Sequence, residues 1–189
     1  MMRLPAIALV VTTALGACVG KASLEPAQHQ ASAAERVAAD LLAADEAEGA
    51  GNRAALAARL SRLHNRGTRA LDEEADASLL RWQAMSAPGA APMRGRALGP
   101  GFRRGTLAVG ERLRLEQVFR SGEPAEIVLA GRMQQRLRLI LRDAKARTVC
   151  DLDPANGRGC QFTPVFTQRY VIEIANGGAG VATYYLVFD

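Results

Sequence analysis

Over the C-terminal half of the chain, apolar and polar residues alternate with period two. From Arg112 through Leu113, Arg114 and Leu115 to Phe119, leucines take one face and arginines the other. Glu126-Ile127-Val128-Leu129 follows the turn Ser121-Gly122-Glu123-Pro124. Between Arg136 and Arg142, Leu137, Leu139 and Leu141 share a face; so do Tyr170, Ile172 and Ile174, and later Tyr184, Leu186 and Phe188. Runs this short, separated by turns such as Asn176-Gly177-Gly178, predict an antiparallel sandwich or barrel rather than a parallel sheet.

Residues 32–86 follow a helical period instead. Ser32 and Glu35 have capping-box spacing, and Val37, Leu41 and Ala44 fall on one stripe. Gly49-Ala50-Gly51 ends that helix, and Asn52 is placed to cap a second, striped by Leu56, Leu60 and Leu63 and stopped at Asn65-Arg66-Gly67. Thr68 is placed to cap a third, whose early acids Asp72, Glu73, Glu74 and Asp76 suit the positive end of its dipole. Its stripe is Leu71, Ala75, Leu79 and Trp82, with Leu80 one step outside it as a candidate partner contact. The stripes are narrow and alanine-rich, so these helices must pack on each other or on the strand-forming half of the chain. Residues 87–100, rich in Pro and Gly, read as a linker to a domain at 101–189. The expected fold class is α+β: an N-terminal helical segment, then an antiparallel β-sandwich.

The N-terminus has a different pattern. After Met1-Met2-Arg3, the run from Leu4 to Leu15 is mostly apolar yet too short to span a bilayer, as in a secretory leader. It ends Leu15-Gly16-Ala17-Cys18, which resembles the lipobox of bacterial lipoproteins. The resemblance implies cleavage of residues 1–17, lipid on Cys18 and a tether over 18–31. Each buried CH₂ of such an anchor adds about 0.8 kcal/mol, and several chains together hold a protein firmly. Val19 stands where an inner-membrane retention signal would place Asp, so the expected location is the outer membrane, facing the periplasm or the cell surface. With Cys18 committed to lipid in an oxidising compartment, Cys150 and Cys160 are left to pair as a disulfide.

A second resemblance lies in the strand region. Gly105-Thr106-Leu107, Phe119, Gly122-Glu123, Ile127-Val128-Leu129, the stretch from Leu137 to Asp143, Phe162-Thr163-Pro164, the stretch from Thr167 to Tyr170, and Tyr184-Tyr185-Leu186 together look like the bacterial pre-peptidase C-terminal domain. That family is a non-catalytic, jelly-roll-like β-sandwich attached to secreted proteins, and relatives bind calcium or extracellular polymers through acidic strand positions. Here the corresponding strand carries Gln135, Arg136 and Arg138, so no metal is expected at it.

Charge changes the picture little until it is localised. The chain has 24 Lys+Arg against 19 Asp+Glu, a net charge of +5. From residue 87 onward basic residues outnumber acids 15 to 9. Arg112 and Arg114 share a strand face, as do Arg136, Arg138 and Arg142, which makes these arginines a candidate surface for an anionic envelope polymer. A solvated face that blunts edge pairing would show the same pattern. Nucleic acid is not an expected partner outside the cytoplasm.

Material for catalysis is sparse. The two histidines are His29, in the tether, and His64, near a helix end where it can meet terminal carbonyls. Asp151, Asp153, Asn156 and Gly157 approach a calcium loop but lack its spacing and its closing Glu, and the same residues suit a turn. No nucleophile motif or phosphate-binding glycine loop occurs. The expected function is therefore non-enzymatic: a lipid-anchored envelope module, without cofactor, for a protein partner or an anionic polymer. The alternative is a periplasmic enzyme or enzyme inhibitor with a site the sequence does not display.

Overall fold

A computed structural model describes residues 30–86, 99–132, 135–154 and 158–189. The leader, Cys18, most of the tether and most of the 87–100 linker lie outside the described residues. Ala31–Asp189 fold as one compact unit.

Among the described residues three helices come first. In α1 (Ala33–Gly49) the capping box closes: Ser32 Oγ accepts from Glu35 N at 3.0 Å, and the Glu35 carboxylate accepts from Ser32 N at 2.9 Å. Asn52 Oδ1 accepts from Ala55 N at the start of α2 (Arg53–Asn65). Gly67, at φ +65°, then turns the chain out of the helix. The third helix departs from expectation. Thr68 does not cap it, because Arg69–Ala70 form a two-residue strand, β1, and α3 begins at Glu73 and runs to Ser86. Asp72 is the residue that accepts from Ala75 N, at 2.9 Å. The edge of the next strand displaced the cap: Leu71 N donates to Phe102 O, which draws residues 69–71 alongside it.

Among the described residues eight strands follow: β2 (Gly101–Leu107), β3 (Arg112–Phe119), β4 (Ala125–Gly131), β5 (Leu137–Arg142), β6 (Thr148–Leu152), β7 (Cys160–Phe162), β8 (Gln168–Asn176) and β9 (Ala182–Phe188). They form two packed sheets, ordered β1-β2-β9-β4-β7 and β3-β8-β5-β6. All pairings are antiparallel except β1 with β2. The fold is thus the expected α+β arrangement of helices and then an antiparallel β-sandwich. The strands read from alternation are present; β1, β2, β6 and β7 had no clear alternation to announce them.

The described residues form two apolar cores. Between the sheets lie Leu107, Ile127, Leu129, Tyr184 and Leu186 on one side and Leu137, Leu139, Leu141, Tyr170, Ile172 and Ile174 on the other. The second core lies outside the sandwich, where Val37, Leu41 and Trp82 of α1 and α3 meet Phe102, Val128, Tyr185 and Val187, and Leu56 and Leu63 of α2 join the same cluster. The helices are therefore a third layer on one sheet. This layering explains why Ile127-Val128-Leu129 and Tyr184 through Val187 are apolar at consecutive positions: β4 and β9 are buried on both faces. Gly105 lets Tyr184 pack onto β2, since a Cβ there would sit 2.5 Å from the phenol oxygen.

Candidate binding surfaces

The predicted arginine stripe lies on the outer face of the sheet β3-β8-β5-β6, but it is not continuous. β8 separates the two strands that carry it. Arg112 and Arg138 both stand opposite Ala175 and so flank it, whereas Arg114 stands opposite Glu173. Arg138 forks onto Asp151, with Nε to Oδ1 at 2.7 Å, and this hydrogen bond holds the Asp151 carboxyl below its ordinary pKa. Arg142 reaches Glu173 at 3.5 Å and Thr148 at 2.9 Å. Arg169, from β8, pairs with Glu116 at 2.9 Å. Sheet register places carboxylates among the arginines, so the face is mixed rather than uniformly basic.

Two shallow hollows mark this face. One, of about 400 Å³, brings together Arg114, Arg142 and Arg169 with Glu116, Asp143 and Glu173. The other, of about 660 Å³, lies between Arg136, Arg138, Asp151 and Asp153. Arg112, Arg114 and Arg136 have no carboxylate partner among the described residues. Arg136 lies just before β5 with φ +39°, outside the strand ladder.

The end of the sandwich where β3 passes into β4 carries a second surface. The loop Thr163–Thr167 between β7 and β8 is fastened to the β3–β4 turn. Ser121 N donates to Thr167 Oγ1 at 3.0 Å, Ser121 Oγ to Val165 O at 2.6 Å, and Gly122 N to Pro164 O at 2.8 Å. Gly122 has φ +75°, a conformation glycine adopts without strain. Near the loop, Phe119, Phe162 and Tyr170 pack edge-to-face or tilted with ring centroids 5.1 to 5.5 Å apart. So supported, Val165 and Phe166 remain 75% and 71% exposed, with Val118 also exposed near the end of β3. Beside the loop is a groove of about 610 Å³ lined by Pro124, Glu126, Gln161, Phe162 and Asp189. Sequence reasoning did not single out this pair, although two apolar residues after Thr163-Pro164 in a turn were a readable signal.

Cys150 and Cys160 form the expected disulfide. It joins β6 to β7, the edge strand of one sheet to the edge strand of the other. Gly159 N donates to Glu35 Oε1 at 3.0 Å, which ties the start of α1 to the same loop. Asp151 points to Arg138, and Asn156 and Gly157 lie outside the described residues. Among the described residues no group of three or more His, Cys, Asp or Glu is placed to hold a metal ion. His64 is exposed in the last turn of α2, and Leu80, on α3, is 50% exposed.

No family model matches the chain, and no curated protein matches it either. The solved structures it is similar to include the following. One is Aeromonas hydrophila PliG, a periplasmic inhibitor of g-type lysozyme, at 11% identity and TM-score 0.41, over 48% of this chain and 84% of that one. Another is the Yersinia pseudotuberculosis-derived mitogen, at 14% identity and TM-score 0.42, with the same coverages. The third is the pre-peptidase C-terminal domain of a Bacillus anthracis collagenase, at 12% identity and TM-score 0.38, over 47% of this chain and 87% of that one.

Proposed function

We propose that this chain is a non-enzymatic binding module, lipid-anchored in the cell envelope through Cys18, that docks a protein partner through the loop bearing Val165 and Phe166. The observation that carries the reading is that loop: a strongly exposed apolar pair whose backbone is fastened in advance. Holding the loop before binding spares the ordering cost that a free loop would incur on association. An aromatic anchor of this kind suits an apolar pocket on a protein. Phosphate or carboxylate polymers call for unpaired cations instead, and Arg138, Arg142 and Arg169 on the outer face already meet carboxylates of the same sheet.

The test replaces Phe166 with a photo-crosslinking amino acid in the full-length chain in living cells. One dominant protein adduct, lost in a Phe166→Ser chain that accumulates normally, is the expected result. Adducts confined to lipopolysaccharide or cell-wall fragments would overturn the protein-partner reading. Membrane fractionation of Cys18→Ser tests the anchor separately: release into the soluble fraction is expected, and unchanged membrane association would discard the lipid.

A further inference from the structure

The two sheets differ in how their edges end. β6 and β7 are edge strands tied together by the disulfide, and β1 is only two residues long. β3 is also an edge strand, bonded to β8 alone, yet it runs for eight residues in unbroken register, with no proline and no bulge. Natural edges are blunted by brevity, proline, bulges, inward charges or charged side chains along the strand. Of these β3 has only the outward-pointing charges Arg112, Arg114 and Glu116, of both signs. Its inward side chains Leu113, Leu115 and Phe119 are half-buried, whereas Leu137, Leu139 and Leu141 on β5 are buried.

The direction of its free peptide groups follows from the ladder. Asn176 N donates to Glu111 O, and antiparallel bonding alternates, so the odd-numbered residues of β3 turn their peptide groups toward β8. The peptide groups of Arg112, Arg114, Glu116 and Val118 therefore face the open edge. Gln117 Nε2 donates to one of them, Val118 O, at 3.2 Å.

We propose that a second copy of this chain adds its own β3 to this edge, antiparallel, with Leu115 on the two-fold axis. In that register Arg114 stands opposite Glu116 of the second copy, and Glu116 opposite Arg114 of the second copy. Both positions have outward peptide groups, so each becomes a hydrogen-bonded pair with opposite charges side by side on the solvent face. On the inner face, Leu115 meets Leu115 of the second copy in the closer, non-hydrogen-bonded pairing. Sliding by one residue on each strand would set Arg114 against itself, and like charges directly opposite disfavour that pairing. A two-fold interface of this kind is self-complementary and closes at two copies. It covers the half-buried leucines of β3.

Disulfide trapping in cells tests the register on the full-length chain. Leu115→Cys is expected to give a reductant-sensitive species of twice the chain mass. Leu113→Cys is expected to give none, since its two copies would lie roughly 13 Å apart along the strands. Co-expressed Arg114→Cys and Glu116→Cys chains, altered only on the solvent face, are expected to cross-link to each other. Absence of both the Leu115→Cys species and this mixed species would overturn the proposal. Equal trapping at Leu113→Cys would overturn it as well.

Discussion

The hydroxyl of Tyr185, in the middle of β9, donates to Asp45 Oδ1 of α1 at 3.0 Å, across the junction between the helical layer and the sheet. Arg104 Nε donates to the same hydroxyl oxygen at 3.3 Å, and Arg132 Nη2 to Asp45 Oδ2 at 3.0 Å. Burial pushes the Tyr185 phenol well above its ordinary value, so it keeps its proton and remains a donor throughout the neutral range. One carboxylate thus gathers groups from β2, from β9 and from the end of β4.

Tyr185→Phe is expected to keep the ring packing and lose only the donor to Asp45. Removing one partner of such a bond costs about 1–3 kcal/mol. Trp82→Ala removes a fully buried ring from the same core and should cost about 3–5 kcal/mol. Urea denaturation followed by circular dichroism measures both, and a Tyr185→Phe chain as stable as the parent would show that the bond contributes nothing.

Glu48 gives a pH dependence. Arg81 Nε and Nη2 donate to its carboxylate at 2.5 and 3.2 Å, and Trp82 Nε1 at 2.7 Å. These bonds, that from Arg81 first, hold Glu48 below its ordinary value of 4.5 despite partial burial. A carboxyl depressed in the folded chain stabilises it above the unfolded pKa, and that contribution is lost as pH falls through the folded pKa. Midpoint temperatures should therefore decline on acidification below about pH 4.5. Glu48→Gln is expected to be less stable at neutral pH and to show a shallower decline.

Reduction tests the join between the sheets. Cys150 and Cys160 are 10 residues apart, and closing a loop of that size stabilises by about 2.5–3 kcal/mol when the effect is assigned to the unfolded chain. A Cys150→Ser/Cys160→Ser chain should melt lower than the oxidised parent, and reductant should lower the parent while leaving the double variant unchanged. Equal melting of all samples would show that β6 and β7 hold together without the bond.

Charge reversal separates the two outer surfaces. Arg112→Glu and Arg136→Glu remove cations that have no carboxylate partner among the described residues. On the protein-partner reading they should leave recovery of the Phe166 adduct unchanged at any ionic strength. A salt-sensitive loss of that adduct would move the binding site to the arginine face.

The strand alternation from Arg112 to Phe119 and from Leu137 to Leu141 was legible because one face of each strand meets the core and the other meets water. The capping box at Ser32 and Glu35 was legible because its partners lie within one turn. Thr68 misled because a local cap competed with a strand edge about thirty residues further on. β2, with Gly101 and Gly105, and the three-residue β7 carry too little periodic signal to be read without the neighbours that pair with them.

The candidate sites divide the same way. The pairing of Cys150 with Cys160 could be reasoned from compartment and cysteine number, and the exposure of the arginines from their alternation. That Glu173 and Ala175 stand between the two arginine strands depends on strand order, which local sequence does not encode. The same holds for the second core, in which Tyr185 and Val187 meet helices from the other end of the chain. By itself the sequence determined the helical stripes and the alternating strands, because those patterns come from contacts a few residues apart. Only the tertiary structure decided which faces meet, which charges neutralise each other and which apolar residues stay in water, because those contacts join residues far apart along the chain.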